Sequence, residues 1–146
     1  MRTLSTRAAM VRSVSGVPSE SRVSVWDDFA PRDFVVGKWP YGKVRPPPKF
    51  ARQFGSSEEL AFQMEGIREL QRVVREFYDY MDNRKWTQRV AARKLHVNRN
   101  ALSRLLRGVV FSDTTTLIAV WGAVEGAARD AAAAKQAAQE AAAAKR

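Results

Sequence analysis

The stretch WTQRVAARKLHVNRNALSRLLRG, residues 86–108, combines dense positive charge with the apolar spacing of helices. It contains six arginine or lysine side chains and one histidine, and it contains no carboxylate. Apolar residues nevertheless recur every three or four positions, as they do in helices that bury one face. The stretch therefore predicts helices with a buried apolar side and a basic exposed side.

The stretch divides into two short helices joined by a turn. Thr87 is placed to cap the first helix and Asn98 the second, because both side chains accept hydrogen bonds from free backbone amides. His96 and Val97 interrupt the apolar spacing, and Gly108 is placed to end the second helix. The inner faces are expected to carry Val90, Ala91, Leu95, Ala101, Leu102, Leu105 and Leu106. Such a pair, with a basic and amide-bearing outer face on its second helix, is typical of proteins that place a helix in the major groove of DNA.

These residues resemble the Cro and phage-repressor type (XRE-like) helix-turn-helix family, whose pattern runs roughly T-Q-x-x-L-A-x-x-x-G-V-S-x-x-x-I-S-x-x-x-x-G. The match needs no gap, and the family's positions are filled here by Thr87, Gln88, Ala92, Val97, Asn98, Leu102, Ser103 and Gly108. Two positions depart from the pattern, since Ala91 stands for the usual leucine and His96 for the usual turn glycine. Histidine is one of the few residues that tolerate a positive φ in such a turn. We interpret His96 as a turn residue and not as a metal ligand or general base, because it is the only histidine and no carboxylate lies near it in sequence.

The resemblance implies a domain that binds double-stranded DNA and reads its sequence, as a transcriptional repressor or regulator does. The family's base-reading positions fall on Arg99, Asn100 and Arg104, and Ser103 lies beside them on the outward face. Gln88 matches the position that holds a backbone phosphate and braces the reading helix. Further phosphate contacts are expected from Arg84, Lys85, Arg89, Arg93, Lys94, Asn98 and Arg107, with a solvated surface charge as the alternative for each.

Charge is unevenly distributed along the chain, whose formal net charge is +10. Residues 83–111 carry eight basic side chains and no acidic one, whereas residues 56–82 carry three basic and seven acidic side chains. Residues 1–55 carry ten basic and four acidic side chains. A positive field that peaks on the two short helices favours a polyanionic partner.

A long amphipathic helix is predicted to precede the pair, in GSSEELAFQMEGIRELQRVVREFYDYMDN. Ser56 and Glu59 have the spacing of a capping box, in which each side chain caps a backbone amide of the other. The apolar stripe is made of Leu60, Met64, Ile67, Leu70, Val74, Phe77 and Met81. These residues predict a structural helix of about 25 residues with an acidic exposed face.

Residues 1–55 are interpreted as a basic, proline-containing and largely extended N-terminal arm. Its aromatic residues are too numerous for a solvated linker, so parts of the arm are expected to dock on the folded domain or on a partner. They are Trp26, Phe29, Phe34, Trp39, Tyr41, Phe50 and Phe54. The run KVRPPPKF could form a polyproline II helix, and the acid-poor segment 1–20 allows a disordered tail or, less well, a transit peptide.

The chain after the pair is predicted to be helical. The run VVFSDTTTLIAVWGAV extends the resemblance to about 60 residues, with an inner face of Leu117, Ile118, Val120, Trp121 and Val124. The DNA-binding domain is therefore placed at residues 56–126. Residues 127–146 are an alanine-rich helical tail, since alanine has the highest helix propensity. The tail is expected to project from the domain, or alternatively to pair with a second copy.

Composition restricts the class of protein. The chain has no cysteine, which excludes disulfides and thiolate zinc sites and fits the cytoplasm, where a DNA-binding protein would associate with the nucleoid. No apolar run approaches the roughly 20 residues that span a bilayer, so no membrane partner is expected. We expect no cofactor, no metal and no enzymatic activity, because the sequence offers no paired carboxylates, phosphate loop, metal spacing or nucleophile with a base.

The sequence thus predicts an all-α protein built as a small helix-turn-helix bundle of four to five helices, with the arm before it and the tail after it. Its expected partner is double-stranded DNA, with a homodimer or another protein bound through the arm as further partners. The alternative function is an antitoxin-like interaction module, in which the aromatic-bearing arm wraps a partner protein.

Overall fold

A computed structural model describes residues 25–111 and 113–145 of the chain. Within these residues the fold is all-α, as predicted, with five α-helices and one two-stranded sheet. The helices are α1 (Pro48–Ala51), α2 (Ser57–Arg84), α3 (Gln88–Leu95), α4 (Arg99–Arg107) and α5 (Thr114–Ala144). They follow a 3-10 helix (Pro31–Phe34) and the strands β1 (Val35–Val36) and β2 (Lys43–Val44).

Helix α2 is the central support of the molecule. Ser56 caps it by accepting a hydrogen bond from the Glu59 backbone amide at 3.2 Å. The Glu59 carboxylate accepts from the amide of Gly55 at 2.8 Å, one residue earlier than the predicted box has it. The predicted apolar stripe packs in the core: Met64, Ile67, Val74, Phe77 and Met81 are buried, and Leu60 and Leu70 are half-buried.

Three successive helices end on a residue with left-handed backbone angles. These residues are Lys85 after α2, His96 after α3 and Gly108 after α4, with φ values of 57°, 57° and 69°. In each case the next residue's amide donates back into the last helical turn, at 2.9, 3.0 and 3.2 Å, which satisfies a carbonyl that the helix leaves free. The chain reverses sharply at each end, so α2, α3 and α4 pack around one core.

Helix α5 is continuous over 31 residues and runs through the predicted boundary between residues 126 and 127. Gly122 and Gly126 lie inside it without a break. The predicted inner face is only partly right, because Ile118 and Trp121 are 62% and 45% exposed. The buried face instead follows a strict four-residue step through Thr116, Val120 and Val124, and Ile118 and Trp121 point away from that face.

The alanine-rich end of α5 projects from the rest of the protein. Every described residue from Ala128 to Lys145 is exposed, and at about 1.5 Å per residue this part extends roughly 25 Å beyond the core. The last tie to the body is Arg72 on α2, whose guanidinium bonds Glu125 at 2.8 Å and Glu76 at 2.9 Å and also pairs with Glu69. These carboxylates raise the pKa of Arg72, and its hydrogen bonds lower the pKa of Glu69.

Residues 25–54 pack on the helices, which is one of the two docking places expected for the aromatic residues of this segment. Phe34 and Phe50 are fully buried, with ring centres 4.7 Å apart at 89°. Trp26 packs against Phe50 at 4.7 Å and against Phe111, in the loop after α4, at 5.0 Å. This aromatic cluster belongs to the same buried core as the apolar faces of the helices, so the segment is part of the domain core.

A β-hairpin connects this segment to the helices. Val35 pairs with Val44 and Val36 with Lys43, and Gly42 has no room for a side chain against the Val36 carbonyl. The buried amide of Gln71 on α2 donates to the carbonyls of Pro40 (3.0 Å) and Gly42 (2.7 Å). The hairpin turn is thereby fixed to α2.

The run of prolines enters a helix at its third residue. Pro47 has φ −60° and ψ 140°, and Pro48 begins α1, where the missing amide costs nothing. The disordered tail or transit peptide expected of the segment 1–20 falls outside the described residues. No helix within residues 25–111 and 113–145 has the length and apolar content to cross a membrane.

The packing of the N-terminal segment predicts a large stability effect. Phe34→Ala should lower the free energy of unfolding by about 3–5 kcal/mol, because it removes a fully buried ring and leaves a cavity. Phe62→Ala is the matched control, since Phe62 is 67% exposed and should change stability by less than about 1 kcal/mol. Urea denaturation followed by far-ultraviolet circular dichroism measures both. Equal effects of the two variants would contradict the docked arrangement.

Candidate nucleic-acid interface

The outward face of α4 carries the predicted base-reading residues. Arg99, Asn100 and Arg104 are exposed, and the opposite face of the helix is buried through Ala101, Leu102, Leu105 and Leu106. Arg99 and Asn100 lie in the first turn, which Asn98 caps by accepting from the amides of Asn100 (2.8 Å) and Ala101 (3.0 Å). The cap and the buried leucines therefore hold the helix so that its first turn presents these two side chains to solvent.

Two of the predicted contact residues have structural partners. The side-chain oxygen of Asn98 is occupied by the cap, which leaves only its NH₂ group for a ligand. Ser103 is half-buried, and its hydroxyl accepts a hydrogen bond from Nε of Arg107 at 3.2 Å. Ser103 thus positions Arg107 on the outward face.

Helix α3 presents its cations next to α4. Thr87 caps it by accepting from the amide of Val90 at 3.2 Å, so Gln88, half-buried, is its first residue. Arg89 is exposed in the first turn, and Arg93 and Lys94 are exposed in the last turn. Cations near a helix C-terminus interact favourably with the helix dipole, and here they remain accessible to a ligand.

Arg84 and Lys85 lie where α2 ends. The guanidinium of Arg84 is 3.8 Å from the ring centre of Tyr80 and 5.7 Å from that of Trp86. This cation–π contact holds the guanidinium near the two rings, and Arg84 takes part in no salt bridge among the described residues. Lys85 is exposed and adopts the left-handed conformation that ends α2.

The basic residues of this interface are not neutralised by the rest of the protein. Across the part of the chain that the structure describes, every salt bridge involves Arg68 or Arg72 on α2, and the eight basic side chains of residues 83–111 take part in none. One carboxylate approaches them. Asp113 caps α5. Hydrogen bonds from Thr116 lower the pKa of Asp113, and the positive charge of Arg104 lowers it further. Arg104 is therefore attracted to Asp113, and this attraction competes with the binding of an anionic ligand by Arg104.

A second basic surface, not predicted from the sequence, forms where the β-hairpin meets the end of α4. A cleft of about 570 Å³ there is lined by Arg32, Asp33, Gly37, Lys38, Trp39, Tyr78, Leu106 and Arg107. The run GKWPYGK contains a signal that could have revealed the hairpin, since two glycines flank a proline-containing turn. Its position beside α4 depends on contacts between segments far apart in the chain, which periodicity cannot indicate.

Comparisons with protein-family models, with curated proteins and with solved structures find no match to this chain. What the interface can do is therefore inferred from its side chains and charges. Within residues 25–111 and 113–145, no group of histidine, cysteine or acidic side chains is arranged to hold a metal ion.

The left-handed turn between α3 and α4 generates a stability prediction. His96 has φ 57° and ψ 43°, as expected from its place in the pattern, and it is exposed. His96→Gly should leave the free energy of unfolding equal or raise it by up to about 1 kcal/mol, because glycine adopts this conformation without steric cost. Thermal and urea denaturation measure the change, and a loss above about 1 kcal/mol would show that the imidazole makes an important contact.

Gly108→Ala is the matched comparison at the other end of the pair. Gly108 also has a positive φ, and a Cβ atom there would lie 2.7 Å from Cγ and Cδ1 of Trp39. The substitution should destabilise the protein by at least about 1–3 kcal/mol, because it adds strain and displaces a buried ring. Similar behaviour of the two variants would contradict the assigned roles of these residues.

Proposed function

We propose that the protein binds double-stranded DNA in a sequence-specific manner through α3 and α4 and acts as a transcriptional repressor or regulator. The observation that carries the proposal is the outward face of α4. Arg99, Asn100 and Arg104 extend from a capped and internally packed helix, the second of a pair joined by a three-residue turn. The Cro-type pattern read from residues 87–108 supports the same interpretation, and the protein would then act in the cytoplasm on the nucleoid.

Base reading is assigned to the first turns of α4. A guanidinium can donate two hydrogen bonds to O6 and N7 of guanine, and an asparagine amide can pair with N6 and N7 of adenine. Arg99 and Asn100 carry these groups at the N-terminal end of the helix, the end that contacts base edges in helix-turn-helix proteins. Arg104 is assigned a third contact, in competition with its attraction to Asp113.

Phosphate binding is assigned to α3 and the flanking cations. Arg89, Arg93 and Lys94 are exposed and form no ion pair with any residue that the structure describes, and Gln88 stands at the N-terminus of α3. Each neutralised phosphate releases counterions, so these contacts raise affinity for all duplexes without selecting a sequence. The acidic outer face of α2 is unsuited to DNA, which leaves one side of the protein for the duplex.

The base-reading assignment is tested by comparing substitutions on a preferred site and on random DNA. The site is obtained by selecting bound sequences from a random duplex pool. Arg99→Ala should cost about 1–3 kcal/mol on this site, much less on random DNA, and relax the choice at one or two base pairs. Asn100→Ala should behave similarly at a neighbouring base pair.

The phosphate assignment predicts a different pattern. Arg89→Ala and Arg93→Ala should weaken binding to every duplex by a similar factor and lower the slope of log K against log salt by about 0.9 per lost contact. Arg68→Ala on α2 is the control, because it removes an exposed arginine that is paired with Glu65, and it should change neither quantity. If Arg99→Ala and Asn100→Ala preserve affinity and preference in a folded protein, α4 does not read DNA.

In that event the interaction module becomes the leading candidate. Residues 25–54 pack their aromatic side chains on the core and so make them unavailable to a partner. The exception is Tyr41, which is 62% exposed. The surface that favours a protein partner is instead the exposed apolar group Phe62, Ile118 and Trp121 on α2 and α5. A second copy bound there would give a homodimer, which a two-fold symmetric selected site would indicate.

A further inference from the structure

The cleft between the β-hairpin and α4 is a built surface and continues the outward face of α4. Arg107, in the last turn of α4, lines the cleft together with Arg32 and Lys38 from the N-terminal segment. Its Nε is held by Ser103 at 3.2 Å, on the same face as Asn100. The cleft therefore begins where the predicted base-reading face ends.

Hydrogen bonds from α2 and from the N-terminal segment hold the walls of the cleft in place. Gln71 is 3% exposed and donates to the Pro40 and Gly42 carbonyls, and Arg75 donates to Pro40 at 3.2 Å. On the other side, the amide of Arg32 donates to the Gly108 carbonyl at 3.0 Å. The hydroxyl of Tyr78 donates to the Leu106 carbonyl at 3.1 Å. The hairpin and the end of α4 thus form one preorganised unit.

The charge of the cleft favours an anion. Three cations, Arg32, Lys38 and Arg107, line it against one carboxylate, Asp33. One oxygen of Asp33 accepts the backbone amide of Ala30 at 2.8 Å, so this carboxylate is engaged in capping the 3-10 helix. Burial raises the pKa of Tyr78, as does the nearby Tyr41, while Arg107 opposes the rise, so Tyr78 stays a neutral phenol at pH 7.

The indole N–H of Trp39 is the second observation at this cleft. Trp39 is 8% exposed, and its Nε1 is buried without a hydrogen-bond acceptor among residues 25–111 and 113–145. A buried donor without an acceptor costs about 1–3 kcal/mol, and folded proteins rarely leave one unsatisfied. The ring of Trp39 lines the cleft while its Nε1 is covered, so the indole N–H is a nearby reporter of charge placed in the cleft and not a group that a ligand contacts.

We propose that this cleft binds a backbone phosphate of the same duplex that α4 reads, with Lys38, Arg32 and Arg107 supplying the charge. The proposal rests on the proposed function and adds the hairpin to the DNA-binding surface. Trp39 forms part of the cleft wall, and its ring packs against Gly108. The hairpin would thereby fix the position of the C-terminal end of α4 relative to the major groove of the DNA.

Salt-dependent binding of the full chain to duplex DNA tests the charge contribution. Lys38→Ala should weaken binding to preferred and random duplexes by the same factor, roughly tenfold. The double variant Arg32→Ala/Lys38→Ala should also lower the salt slope by about 0.9. Lys49→Ala is the matched control, because Lys49 is an exposed lysine of the same segment that does not line the cleft, and it should leave both unchanged.

Occupation of the cleft is tested by nuclear magnetic resonance on the wild-type protein, with the indole N–H of Trp39 as the reporter. The Trp39 indole signal is identified by its loss in Trp39→Phe, which keeps a ring against Gly108. We expect this signal to move when duplex DNA is added and to stay in place when inorganic phosphate is added at the same phosphate concentration. An equal shift with both would make the cleft a general anion site and overturn its assignment to the DNA backbone.

The outcomes separate this proposal from the proposed function. If Arg99→Ala alters sequence preference while the cleft variants behave like Lys49→Ala, DNA binding stands and the cleft proposal is wrong. If the wild-type protein binds no duplex, both are wrong. If Trp39→Phe does not fold, Lys38→Ala still decides, because Lys38 is exposed and its removal leaves the core intact.

Discussion

The contact between Trp39 and Gly108 is the constraint on which the rest of the arrangement depends. Gly108 must adopt a left-handed φ to end α4, and it must lack a side chain so that the Trp39 ring can approach within van der Waals distance of its backbone. The Gly108 carbonyl accepts the Arg32 amide at 3.0 Å. One residue therefore ends the proposed reading helix and anchors the N-terminal segment beside it.

The two short helices α3 and α4 depend on the rest of the protein for their stability. Helices α3 and α4 have eight and nine residues, and helices of this length are marginal by themselves. α3 buries only Ala91 and Ala92, which contribute little apolar area. The rest of the buried core is supplied by α2, α4, α5 and the aromatic cluster around Phe34 and Phe50. Stability of the interface is thus supplied by residues that the duplex would not contact.

Charge follows the same division between support and interface. The arginines Arg68 and Arg72 of α2 are engaged by glutamates, so their charge is neutralised within the protein. The cations of α3, α4 and the hairpin are left without salt bridges in the described residues, apart from the weak attraction between Arg104 and Asp113. Unpaired cations raise the free energy of the isolated protein slightly and are stabilised when a polyanion binds.

Local features of this protein follow from its sequence alone. Capping residues, left-handed ends and the apolar stripe of α2 arise from short-range hydrogen bonding and helical periodicity, so the roles of Ser56, Thr87, His96, Asn98 and Gly108 can be assigned before any contact is known. Features that depend on distant partners emerge only when the chain is folded. The place where residues 25–54 dock, the turning of Ile118 and Trp121 to solvent, and the cleft lined by Trp39 arise from packing between elements far apart in the chain. No periodic pattern encodes such packing, because it is set by which faces meet and by how much room each leaves for the other.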